Sequence, residues 1–141
     1  MIAVIVATLA ADSALMASLP GGVHNAALVG VISRQTTPTA FDANGELRPC
    51  ALVQGRTTSP AGGRIDAEIT TVAIYLYQRS ITTAIDAARV RIKTLLHRVR
   101  LAPPVGVGAW ELSYADDALN RYDPALRAQL HVTTYRLPTR S

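Results

Sequence analysis

Between Asp66 and Arg100 the hydrophobic period changes from 2 to 3.6 residues across a gap of about three positions. In the segment Glu68 to Tyr77, Thr70, Val72, Ile74 and Leu76 alternate with Ile69, Thr71, Ala73, Tyr75 and Tyr77. β-Branched and aromatic residues at period 2 predict a long strand with one aliphatic face. Ile81, Ile85, Ala88, Ile92, Leu95 or Leu96, and Val99 then form one helical stripe. Ser80 is the expected N-cap, and Pro103-Pro104 bars the helix from continuing far beyond Leu101. A strand feeding directly into an amphipathic helix fixes the architecture, and neither element carries a chemical motif.

The flanking segments fit around that pair. Met1 to Ala11 is apolar, and Pro20-Gly21-Gly22 predicts the end of an N-terminal helix at Leu19. That helix would pack Ile5, Leu9, Met16 and Leu19 on the body. It superficially resembles the apolar core of a signal peptide, but the first basic side chain is Arg34 and the leading positive segment is missing, so a helix packed on the body is expected instead. Asp12 interrupts it well short of the roughly 20 residues that span a bilayer. A long loop follows at about 20–46, the kind of connection that is functional or ordered by a partner. Leu47 to Val53 reads as an edge strand, because Pro49 removes a ladder donor. Residues 55–64 read as a hairpin tip. Trp110, Leu112 and Tyr114 predict a third strand, Asp116-Asp117 to Pro124 a turn-rich connection, and Leu126 to Leu137 a last strand. The expected fold is therefore α+β: a mostly antiparallel sheet of about four strands with two main helices on one face, in the order helix, hairpin, helix, hairpin. Residues 1–141 are expected to form a single domain.

Hydrophobic residues make up 49% of the chain and charged ones 17%, which argues for a folded body with apolar surface left to cover, and so for oligomers. Cys50 is the only cysteine, which excludes an intrachain disulfide and a cysteine metal cluster. His24, His97 and His131 show no metal-ligand spacing, and Asp116-Asp117 lacks the surroundings of a calcium loop. The Gly55 to Gly63 stretch lacks the lysine of a phosphate loop and leads into a strand. No nucleophile elbow or cysteine–histidine signature is present, so neither an enzyme nor a cofactor is expected. The net charge is +4, and Lys93 is the one lysine among the basic residues. Arg79, Arg89, Arg91, Lys93, Arg98 and Arg100 crowd the second helix. They fit either a DNA-facing surface or a solvated face with cations favourably near the helix C-terminus.

The N-terminal helix closed by Leu19-Pro-Gly-Gly-Val23, the Phe41 to Val53 lead into a hairpin, the strand Thr71 to Tyr77 with its helix, and the Trp110-bearing strand together resemble the tail terminator (tail completion) proteins of long-tailed bacteriophages. The resemblance spans nearly the whole chain as a pattern of elements, and the loop from Val23 to Glu46 departs from it. It implies a homo-oligomeric ring, typically a hexamer, at the head-proximal end of the tail tube in the virion, assembled in the host cytoplasm. Such a ring stops tube polymerisation, docks the head connector and neck proteins, and lets DNA pass through its lumen without sequence-specific binding. Heterologous ring contacts need two different faces per subunit. Arg34, Phe41, Arg48, Arg56 and Arg64 are the candidates for subunit or tail-tube contacts, and Arg89, Arg91 and Lys93 for the ring interface or lumen. The alternatives are a head-completion or neck adaptor protein, a small α+β ligand-binding dimer, and a small nucleic-acid-binding module.

Overall fold

The computed structural model describes residues 2–60, 67–101 and 110–140. The chain runs through helices α1 (Ile2–Ala10) and α2 (Ser13–Ser18), strand β1 (Val23–Asn25), helix α3 (Ala26–Val29) and a 3-10 turn (Pro38–Ala40). Strands β2 (Cys50–Pro60) and β3 (Ala67–Gln78), helix α4 (Thr83–Leu96), and strands β4 (Arg100–Leu101), β5 (Trp110–Glu111), β6 (Ser113–Asp123) and β7 (Ala128–Arg140) follow. The fold is α+β, with a five-stranded sheet in the order β1-β2-β3-β7-β6 and a separate β4-β5 ribbon. Every pairing in the large sheet is antiparallel except β1 on β2.

β3 lies at the centre, bonded to β2 and β7. Its even-numbered residues Val72, Ile74 and Leu76 join Ile5, Leu9, Leu15, Leu19, Ala51, Val53, Ile85, Ala88, Ile92 and Leu96 in the main core. Helices α1, α2 and α4 thus cover one face of the sheet. The opposite face is also covered: Cys50, Leu52, Tyr77 and Ala128 pack beneath Ile32, Ala40 and Leu47 of the long connection. A central strand apolar on both sides needs cover on both, and the connection at 26–47 supplies the second.

The expected boundaries shift for identifiable reasons. The N-terminal helix is two helices, because the Asp12 carboxylate accepts from Leu15 N at 2.8 Å and starts α2 afresh. The restart changes the phase, so Leu15 enters the core and Met16 stays half-buried. α4 is shorter than its stripe: Ile81 precedes it and is 57% exposed, and Val99 follows it. Its cap is Gln78, whose Oε1 accepts from Ala84 N at 2.9 Å and Ile85 N at 3.2 Å, while Ser80 sits at φ 70° in the turn. Pro49 lies just outside β2, and β1 covers Ala51 to Val53, so the open edge of β2 begins only after that. The segment expected as a turn after Asp116 is strand β6, bulged after Tyr114 and Ala118 and carrying Asn120 at φ 55°. The expected hairpin tip is strand as far as Pro60, and the remainder of it lies outside the described residues.

Candidate assembly surface

The loop-side cover is built from short local bonds. Asn25 caps α3 by accepting from Ala27 N at 2.9 Å, and Gly30 closes it at φ 75°. Thr37 is buried; its hydroxyl donates to Ser33 O at 3.0 Å and accepts from Ser33 N at 3.1 Å. Asp42 holds the next turn by accepting from Asn44 N and Glu46 N, both at 2.9 Å, so Phe41 and Leu47 meet in an isolated bridge. Arg48 N donates to Ala40 O at 2.8 Å, and the Arg48 guanidinium donates to Thr39 O. The segment is ordered by the chain's own groups, although in sequence it reads as irregular.

Between this cover and the β6–β7 turn lies a groove of about 750 Å³. Its walls are apolar, with Val31, Phe41, Leu52, Tyr77 and Leu126, and its rim is charged. Arg34 donates to Gly45 O through Nε at 3.0 Å and Nη2 at 2.7 Å, and its guanidinium carbon stands 5.8 Å from the Phe41 ring centroid. Arg79 pairs with Glu46 at 3.2 Å across the rim. Burial is the main cause that raises the Tyr77 phenol above its ordinary range, and burial alone pushes the Cys50 thiol up to about 12. At neutral pH both are uncharged parts of the core under the groove.

The structure brings Arg34 and Phe41 together at the groove and uses Arg48 as a strut beneath the cover. Arg56 lies elsewhere on the same face, donating to the Tyr75 hydroxyl with its guanidinium carbon 5.6 Å from the Tyr75 ring centroid. Arg64 lies outside the described residues. On the helix side, Arg89 pairs with Asp117 at 2.9 Å, and Arg91 grips Asp12 with Nε on Oδ2 at 2.9 Å and Nη2 on Oδ1 at 2.7 Å. The Arg91 hydrogen bonds, with that from Leu15 N, hold the Asp12 carboxyl down to about 2. Lys93 Nζ stands 4.1 Å from the Tyr114 ring centroid. The cations of α4 are therefore largely occupied within the fold.

The histidines are held in the same way. His24 Nε2 donates to Gly21 O at 2.8 Å, and His97 Nδ1 accepts from Tyr114 N at 3.0 Å. His131 Nδ1 accepts from Asn120 N at 3.1 Å, and its Nε2 donates to Asp86 Oδ1 at 2.7 Å. Among the described residues no group of three or more His, Cys, Asp or Glu could hold a metal ion, and no helix is long and apolar enough to cross a membrane.

Sequence reasoning misses two features of this surface. Leu28 and Val31 are 83% and 63% exposed, and Val31 lines the groove, although in sequence they lie in what reads only as a long loop. Leu126 and Asp123 reach the groove only because the β6–β7 turn folds over beside Tyr77. The visible signal is the apolar run itself, interrupted by Gly30 and too short to make a strand of its own.

The sequence matches no protein-family model and no curated protein. The fold does have a solved counterpart. A chain from the virion of a native gene transfer agent particle superposes with a TM-score of 0.74 at 14% identity, covering 100% of this chain and 95% of that one.

Proposed function

We propose that this chain is a structural virion protein of the tail-terminator type. In this reading it forms a ring, typically of six copies, on the head-proximal end of a tail tube, stops tube growth and presents the docking surface for the head connector. The observation that carries it is the end-to-end fold similarity to a virion chain, in which neither protein has a large part without a counterpart. The surface agrees with it. Leu28, Val31, Ile81, Val90 and Tyr122 are all more than half exposed, a number of open apolar side chains that favours association. They are spread over both sides of the sheet, as heterologous ring contacts require and a single two-fold patch does not.

The loop-side groove with Arg34 and Phe41 is the proposed contact for a neighbouring subunit or the tube, with no catalytic role. The test is co-assembly with the tail tube protein: the account expects short capped tubes with a ring at one end in electron micrographs. Tubes that grow equally long with and without the chain would refute it. A stable dimer with a small molecule in the groove would support the ligand-binding alternative.

A further inference from the structure

The two sides of the sheet differ in how their charges are arranged. On the helix side Asp12, Asp86 and Asp117 are each paired, with Arg91, His131 and Arg89 respectively. On the loop side, beyond the cover, the described side chains Gln54, Arg56, Asp116, Arg121 and Arg136 are exposed. Alternation from the buried residues Thr133, Tyr135 and Leu137 places Thr134 and Arg136 on this open side. The pairing of Arg121 with Leu130, which packs against the loop-side core, places Arg121 there too. Arg56 lies there with Tyr75.

Register turns these residues into a pattern. Arg136 is opposite Thr71, and Arg56 falls in the bulge between the Gly55–Val72 and Thr58–Thr70 pairs, next to Thr71 on the other side. The two arginines thus flank β3 in one row, on the order of 10 Å apart at two strand spacings. Between and beside them lie Thr71, Val132 and Thr134, uncharged and partly exposed, with Ala73 buried among them. Arg56, Arg121 and Arg136 are exposed, and none has a carboxylate partner among the described residues; the Tyr75 hydroxyl orients Arg56 without cancelling its charge. Asp116, opposite Thr134, is an exposed acid on the same side.

We propose that this exposed, arginine-bearing part of the sheet lines the channel of the ring and lies against the phosphate backbone of the DNA that passes through it. Guanidinium groups without carboxylate partners neutralise phosphate and release counterions without reading sequence, as a conduit for any genome requires. The helix side, where Arg91, His131 and Arg89 match the carboxylates of Asp12, Asp86 and Asp117, faces outward. The inference rests on the ring reading above.

Particles carrying a photo-crosslinking benzoylphenylalanine at Gln54, exposed on the arginine face, or at Val90, exposed on α4, test it. The expected result is a DNA adduct from position 54 and none from position 90, with the adduct reduced several-fold by Arg56→Gln plus Arg136→Gln. Adducts from position 90, adducts from neither position in particles that contain the chain, or a yield unchanged by the double substitution would overturn it. Absence of the unsubstituted chain from purified particles would instead refute the ring reading, and the inference would fall with it.

Discussion

Asp12 does three jobs with one carboxylate: it breaks the N-terminal helix, caps α2 and ties both to α4 through Arg91. Its folded value of about 2 lies below the ordinary 3.8, so the stability it contributes is fully present above the ordinary value and is lost as pH falls through the folded one. Acid unfolding of Arg91→Gln should therefore begin at higher pH than in the unsubstituted chain, as followed by circular dichroism; coincident acid transitions would count against the linkage. A second residue-scale constraint is Gly21, where a Cβ would stand 2.9 Å from both Cys50 Cβ and Pro49 O. Backbone on one side and a buried side chain on the other leave little room to yield, so Gly21→Ala should cost about 1–3 kcal/mol in urea unfolding. Gln78→Ala should cost about 1 kcal/mol, because it frees the two first-turn amides of α4 inside the protein.

The loop cover decides at the level of elements whether the second sheet face is sealed. Cys50 reports on it, being fully buried beneath the cover with its thiol pushed up to about 12. Arg48→Ala removes the strut to Thr39 O, and the Cys50 thiol should then react with iodoacetamide several-fold faster. An unchanged labelling rate would mean that the cover holds without that strut. This is also where legibility from sequence divides. β3 and α4 are readable because each keeps a single period long enough to register, with Val72, Ile74 and Leu76 on one face and Ile85, Ala88 and Ile92 on one stripe. The β6 residues Asp116 to Asp123 are not, because an edge strand with two bulges and a positive-φ asparagine breaks alternation. The order of 26–47 is equally hidden, since it depends on Thr37, Asp42 and Arg48 bonding to backbone groups. In the candidate surface, Arg34 and Phe41 are apparent as loop residues, but their stacking over a groove shared with Leu126 is a product of the tertiary fold.

At the scale of the whole molecule, the sheet has one face closed by helices, with Asp12, Asp86 and Asp117 each matched by a basic side chain, and another covered in part by a loop, with Arg56, Arg121 and Arg136 exposed. Two unlike surfaces suit a subunit that meets different neighbours on different sides. Arg34→Ala combined with Phe41→Ala should leave thermal unfolding within a few degrees of the parent, because Arg34 is exposed at the groove rim and Phe41 is only partly buried in its wall, yet weaken ring assembly on tubes as counted in micrographs. Loss of folding with that pair would assign them to stability instead. Tail length in particles assembled with and without the chain, measured by negative-stain electron microscopy, tests the central claim most directly. The account predicts overlong, headless tails when the chain is missing and tails of uniform length when it is restored; tails of normal length in its absence would contradict it.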